Sequence, residues 1–261
     1  HRDIVIEALK SGKHVLCEKP MALDSKQAEE MLKVAKKTKR ILMISYNQRI
    51  YEPHWKAKEL LKQDIIGKPI AFRSFLPYME RTGRSDFFDK NGGNGGVLLS
   101  VGCHRIDLIP WMFETQITEI MTFATVLDKK KSNGIPIDNE DTAMLLLKCQ
   151  NGLSGMLYTS WCVYGCNDRE THIFGTEGVM KLFEDPWSIA VYKKNGEKIF
   201  YDLKKWAARG SEGATEIINR FISCVLEKKT PFVTPEEGVQ CMKVLDAARR
   251  SAKTGTWEKV Y

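Results

Sequence analysis

A chain of 261 residues, 43% apolar and 28% charged, has room for two modest domains or one large one and the make-up of an ordinary folded protein, which excludes disordered and collagen-like classes. Its formal charge of +7 comes from lysines interleaved with acids, with no like-charge block beyond Lys129-Lys130-Lys131, a surface that suits an anionic cofactor better than nucleic acid. No stretch approaches the roughly 20 consecutive apolar residues of a membrane span, and the amino end has no signal-peptide pattern, so a soluble, cytoplasmic protein that engages neither membrane nor nucleic acid is expected.

The chain opens in a helix, with Ile4, Val5, Ala8 and Leu9 at helical spacing and Ser11-Gly12 as its stop. Val15-Leu16-Cys17 then reads as a short buried strand that delivers Glu18, Lys19 and Pro20 at its carboxyl end. Open α/β sheets bind ligands at that end, so Lys19 reads either as a chemical group or as a structural, solvated one. Asp24, with Gln27 three residues on, caps an amphipathic helix carrying Ala28, Met31, Leu32 and Ala35. Ile41 to Tyr46 is a second buried strand, and this alternation is that of the second half of a doubly wound domain.

A helix from Pro53 to Gln63 ends at Gly67-Lys68-Pro69, and beyond it the texture becomes that of a mostly antiparallel sheet. Strands are expected at Ile70–Tyr78, Thr118–Leu127, Thr142–Cys149, Leu153–Ser160, Glu170–Phe174, Val179–Phe183, Ile189–Lys193 and Lys198–Leu203. Two helices close the chain. One carries Ala214, Ile217, Ile218, Phe221, Ile222, Val225 and Leu226, the other Val239, Met242, Leu245 and Ala248, and both stripes are expected to be core.

The run Asn91-Gly92-Gly93-Asn94-Gly95-Gly96 leads into a helix in which Ser100, His104 and Asp107 fall at spacings of one face. His104 reads either as a buried, hydrogen-bonded residue or as an acid/base group. The glycines carry no G-x-G-x-x-G pattern and follow no parallel strand, so a phosphate-cradling role is not expected of them. Seven cysteines give no metal-ligand pattern, Cys162 and Cys166 standing without a second pair, and they read as reduced core fillers.

Glu18-Lys19-Pro20 after the first strand, Tyr46-Asn47-Gln48-Arg49 after the second, Gly67-Lys68-Pro69, Gly102-Cys103-His104-Arg105-Ile106-Asp107 and Phe174-Gly175-Thr176-Glu177-Gly178 together resemble the Gfo/Idh/MocA oxidoreductases, in the family's order and over essentially the whole chain. The resemblance implies an α/β fold followed by α+β. Residues 1–50 would be the C-terminal part of an NAD(P)-binding Rossmann domain, and residues 51–261 an open-faced substrate-binding and oligomerisation sheet domain whose final helices return to the first part. The family's Gly-rich phosphate loop would precede His1, so the chain reads as a fragment or truncated product lacking that loop, and inactivity of this chain by itself is allowed for.

By the same resemblance Lys19 matches the lysine that contacts the nicotinamide ribose and the substrate hydroxyl, and His104 the base that removes the hydroxyl proton. The Lys19-Pro20 bond is commonly cis in the family. Glu18, Lys19, Pro20, Asn47 and Arg49 are the implied cofactor-binding set, with Asn47 and Arg49 reading equally as ties between strand and helix. Ser100, His104, Tyr164 and Trp161 are the implied substrate-lining set. Ser100 stands where many relatives carry an aspartate that steadies the histidine, and a hydroxyl supplies a hydrogen bond without charge.

The implied activity is hydride transfer between NAD or NADP and a secondary hydroxyl of a sugar, inositol or related polyol. A non-catalytic ligand-binding or assembly domain and an NAD-assisted glycosidase remain open. Apolar residues on both faces of Ala143–Leu147 and Ser154–Tyr158 lead to the expectation of a homodimer or homotetramer through the sheet.

Overall fold

Two short parallel strands, β1 (Val15–Cys17) and β2 (Leu42–Ile44), set the geometry of the amino-terminal part, with Cys17 opposite Ile44. The computed structural model describes residues 1–78, 95–131, 133–165, 169–203 and 211–261, with the backbone alone at 211–214. Residues 91–94 of the glycine run, Cys166 and the side chain of Ala214 lie outside the described set. Helix α1 (Arg2–Lys10) precedes β1, and α2 (Ser25–Thr38) makes the crossover that a parallel pair requires. The Asp24 carboxylate accepts the Gln27 amide at 2.8 Å to start α2, whose Ala28, Met31 and Ala35 face the core. Both strands end at one edge, delivering Glu18-Lys19-Pro20, with a cis Lys19-Pro20 bond, beside Ser45-Tyr46-Asn47.

A 3-10 turn (Asn47–Ile50) and α3 (Glu52–Lys62) lead to a nine-stranded sheet in the order β10-β9-β8-β7-β3-β6-β5-β4-β11. Its strands are β3 (Pro69–Pro77), β4 (Ile117–Thr125), β5 (Thr142–Cys149), β6 (Ser154–Ser160), β7 (Thr171–Gly175), β8 (Gly178–Leu182), β9 (Ile189–Lys193), β10 (Lys198–Tyr201) and β11 (Glu258–Lys259). Only β3 and β6 run parallel; every other pairing is antiparallel. The period-two pattern decides the faces: Ala143, Leu145 and Leu147 of β5 are buried, while Met144 and Leu146 are exposed. Register places Phe123, Met144, Tyr158 and Phe75 in one row on the outer face.

The inner face is covered by α4 (Cys103–Phe113) and α6 (Pro235–Thr254) over β3 to β6, and by α3 towards β8. One hydrophobic core runs from Leu9, Cys17 and Ile44 through Ile106 and Met242 to Leu145 and Leu157, so the parallel pair and the sheet share an interior. α6 is the element that joins them. It begins in a capping box between Thr234 and Glu237 and passes so close to the first strands that a Cβ at Gly238 would lie 2.7 Å from Met21 Sδ and 2.9 Å from Ile44 Cγ1. Farther along, its Asp246 accepts the Ser25 amide at 2.8 Å.

The stripe expected to be core in α5 (Ser211–Leu226) is corrected by the structure: Ile217 and Cys224 are buried, but Ile218, Ile222 and Leu226 are exposed. The apolar residues of α5 cover a wider arc than one packing surface can bury, and the helix seats only its Ile217–Cys224 side. In α6 Val239, Met242, Leu245 and Ala248 are all buried, as expected.

His54 of α3 illustrates how burial settles a protonation state. Its ring is stacked on Tyr51, with Nδ1 2.7 Å from the Gln48 carbonyl and Nε2 3.1 Å from Arg105 Nη1. Burial, then the Arg105 charge, push its pKa down to about 3, which makes it a neutral ring that donates from Nδ1 and accepts at Nε2. Because the folded pKa lies below the unfolded value, the unfolded chain binds the extra proton first, and stability is lost as pH falls from about 6.5 towards 3. Urea melts between pH 7 and 5 are expected to show this slope, and His54→Gln, which keeps one donor and one acceptor, is expected to flatten it; an unchanged slope would rule His54 out as its source.

Candidate active site

At the carboxyl end of β1 the Lys19 ammonium donates to the Ser100 carbonyl at 2.6 Å. Glu18, beside it, is exposed and its carboxylate accepts the Lys19 amide at 3.3 Å, while the Pro20 carbonyl lies 2.9 Å from His1 Nδ1. Ser100 belongs to a π-helical turn (Leu98–Gly102) that opens into α4, and His104 follows one turn on. A π-turn inserts a residue into the helical register and is frequent at functional sites. The single face expected for Ser100, His104 and Asp107 is thereby split. Asp107 is drawn into an ion pair in the interior, whereas Ser100 Oγ and His104 Nδ1 are both buried without a hydrogen-bond partner among the described residues.

His104 is half-buried and stands edge-on to Tyr46, with ring centroids 6.5 Å apart. Burial first, then the Lys19 and Arg105 charges, hold its imidazole well below the usual histidine range, so the ring is neutral at physiological pH. Tyr46 is wholly buried against Cys241, and burial pushes its phenol well above the usual range.

Arg49 is also interior. Its guanidinium forks onto Asp107, Nε to Oδ2 at 2.8 Å and Nη2 to Oδ1 at 2.6 Å, and Nη1 reaches Glu237 Oε1 at 2.7 Å. This clamp binds the turn after β2 to α4 and α6. Burial pushes the Asp107 carboxyl up while the Arg49 charge opposes that shift. A cavity of about 80 Å³ adjoins the clamp, lined by Arg49, Asp107, Trp111, Gln116, Glu237 and Gln240 among others, and contains neither Lys19 nor His104.

The structure therefore brings Lys19, Ser100 and His104 together, with Glu18 and Pro20 adjoining in the chain. Asn47 is half-buried at the end of the neighbouring strand. Trp161 is fully buried and packs the core, so its ring does not line an open surface. Tyr164 is exposed on the loop after β6, donates its hydroxyl to Asp128 Oδ2 at 2.5 Å and lies over the Lys129 ammonium. Sequence reasoning passed over Asp128, Glu140 and Asp141; the signal available was a pair of acids directly before the strand Thr142–Cys149.

Residues 54–181 match the GFO/IDH/MocA C-terminal domain, and residues 1–46 match the oxidoreductase family with an NAD-binding Rossmann fold. The chain is 26% identical over 255 residues to a myo-inositol 2-dehydrogenase of Thermotoga maritima, covering 96% of this chain and 74% of that protein. It is 25% identical over 255 residues to a trans-1,2-dihydrobenzene-1,2-diol dehydrogenase of Xenopus tropicalis, covering 95% and 74%. Among solved structures, a levoglucosan dehydrogenase in complex with NADH and levoglucosan superposes with a TM-score of 0.86 at 22% identity, over 100% of this chain and 77% of that one.

Proposed function

The chain belongs to the Gfo/Idh/MocA oxidoreductase family, and on that premise we propose that its site serves hydride transfer between a secondary hydroxyl of a cyclitol, sugar or related polyol and NAD or NADP. The observation that carries the reading is the Lys19 ammonium held at the Ser100 carbonyl, one turn before the neutral His104. The relatives named above act on an inositol, a dihydrodiol and levoglucosan, all carrying secondary hydroxyls.

The residues present fit the nicotinamide end of such a cofactor. Two parallel strands end side by side with a carboxylate, an ammonium and an amide, Glu18, Lys19 and Asn47, and two buried polar atoms, Ser100 Oγ and His104 Nδ1, have unused hydrogen-bonding capacity among the described residues. When bound, the nicotinamide supplies the hydride acceptor. Lys19 turns its ammonium to the substrate hydroxyl oxygen and favours the alkoxide-like state from which hydride leaves. His104 takes the hydroxyl proton. Because Nδ1 is enclosed, Nε2 is the accepting nitrogen, and because Ser100 supplies no negative charge the imidazolium is short-lived.

The test is incubation of the protein with NAD or NADP and a panel of cyclitols, sugars and dihydrodiols, followed by the fluorescence of reduced nicotinamide. Appearance of the reduced cofactor with at least one polyol is expected when this chain is joined to the family's Gly-rich phosphate loop; none with any pair in that protein would overturn the reading.

A reading as a homo-oligomer is supported by the outer sheet face, where Phe123, Met144, Leu146 and Met156 leave apolar surface exposed. The protein is a homodimer or homotetramer through that face. Light scattering is expected to give a multiple of the 29.8 kDa chain mass, and Leu146→Glu to reduce it to the monomer. A monomeric parent would contradict this. The site of action is the cytoplasm, a reading supported by six described cysteines that are all free thiols; no helix of the described residues is long and apolar enough to cross a membrane.

A further inference from the structure

The helix that carries His104 lacks a side-chain cap of its own at its start. Its first amides are taken instead by a residue 42 positions beyond Leu98: Val97 N–H donates to the Glu140 backbone carbonyl at 2.9 Å, and Leu98 N–H to Glu140 Oε1 at 3.1 Å. The approach is close enough that a Cβ at Gly96 would overlap the Glu140 carboxylate, which explains a glycine there without any need for unusual backbone angles. A carboxylate at this position also faces the positive end of the helix dipole. The turn that Glu140 holds contains the Ser100 carbonyl, the acceptor of the Lys19 ammonium.

Asp141, the next residue, turns the other way. Its side chain is fully buried and accepts the amides of Leu127, Asp128 and Lys129 at 2.9–3.0 Å, while its carbonyl accepts the Trp161 amide at 2.8 Å. Burial raises the Asp141 pKa, but these amide bonds outweigh it and hold the carboxylate below its usual range. The loop so wrapped presents Asp128 to the Tyr164 hydroxyl, and Trp161 begins the segment that carries Tyr164. Two adjacent acids thus fix two separate elements: one bears Ser100 and His104, the other Tyr164.

From this arrangement we infer that Glu140 and Asp141 form a bracket of positioning residues, Glu140 setting the register of the Lys19–Ser100–His104 group and Asp141 fixing the loop whose Asp128 holds the Tyr164 hydroxyl. The inference rests on the catalytic reading of Lys19 and His104, and its Asp141 arm on the substrate-lining reading of Tyr164. Neither acid touches the reacting atoms. Glu140 acts through the helix start, and Asp141 through Asp128.

The two arms separate kinetically. Glu140→Ala is expected to lower kcat about 10–100-fold with the polyol KM within about threefold, since loss of the cap shifts the helix start by a fraction of a turn. Glu140→Gln, whose amide oxygen still accepts the Leu98 N–H, is expected to stay within about threefold of the parent. Asp128→Ala, which frees Tyr164 without disturbing Asp141, is expected to raise KM and spare kcat.

A measurement on the protein alone accompanies them. Acetylation of Lys19 by acetic anhydride, followed by mass spectrometry, is expected to run about tenfold faster in folded Glu140→Ala than in the parent, because the Ser100 carbonyl no longer holds the ammonium. Parent-like kcat and parent-like Lys19 labelling in folded Glu140→Ala, or equal losses in Glu140→Ala and Glu140→Gln, would overturn the Glu140 arm, and an unchanged KM in Asp128→Ala the Asp141 arm. If Lys19→Met turns over like the parent, it is the catalytic reading that fails, and the labelling rates still decide whether Glu140 holds the Lys19–Ser100 contact.

Discussion

Lys19→Met is expected to lower turnover of a polyol by about 10²–10⁴-fold, the range by which a positioned proton-transfer group accelerates a reaction. Methionine keeps the unbranched length of the side chain and removes the ammonium. Folding is largely spared, since among the described residues that ammonium donates to the Ser100 carbonyl, and losing this part-buried bond from a charged donor costs about 1.5 kcal/mol. The effect should therefore fall on kcat, with a thermal melt close to that of the parent. Among the described residues the arginines around the site are engaged elsewhere: Arg49 is committed to Asp107 and Glu237, and Arg105 faces His54. Steady-state kinetics check the prediction, and parent-like turnover in Lys19→Met would remove Lys19 from the mechanism.

Asp107→Asn is expected to destabilise the protein by about 3–5 kcal/mol, the cost of leaving one member of a buried ion pair without its counter-charge. Arg49 and Asp107 are both almost wholly buried, at 2% and 1% side-chain exposure, and Glu237, the remaining acid on Arg49, is 39% exposed and already engaged in capping α6. Amide for carboxylate preserves shape, so the loss reads out charge rather than packing. A urea titration should show a lower midpoint with an unchanged slope. The double variant Arg49→Met/Asp107→Leu is expected to recover much of the loss, because an apolar pair of similar volume avoids the desolvation that the ions suffer. A loss below about 1 kcal/mol in Asp107→Asn would mean that the fork contributes no more than a surface pair.

The legibility of this molecule in its sequence follows from the range over which each feature is determined. Strand β5 could be placed at Thr142–Cys149, but with apolar residues on both faces of Ala143–Leu147 its buried side is decided by the helices that cover it; in α6 the stripe Val239, Met242, Leu245 and Ala248 proved buried, within a wider buried arc. In α5 the same argument failed because apolar residues occupy a broad arc, and which side is covered is decided by its neighbours rather than by period. Strand β11, two residues long, is too short to carry any pattern.

At the candidate site Lys19 was visible because a strand of three residues ends just before it, a local relation. The π-turn at Leu98–Gly102 was not visible, since an inserted residue leaves composition and spacing unchanged while rotating everything after it. Nor was the destination of Arg49, whose partner Asp107 lies 58 residues away, or the trans cap supplied by Glu140, because such pairings exist only after the chain has folded.

Hydride transfer itself is open to direct observation. A polyol that supports cofactor reduction would be prepared with deuterium on the carbinol carbon and mixed with the protein and NAD or NADP, and the reduced cofactor examined by mass spectrometry. One deuterium on the reduced nicotinamide ring is expected with the parent and essentially none with Lys19→Met; absence of the label with the parent, or equal labelling by both proteins, would contradict hydride transfer assisted by Lys19.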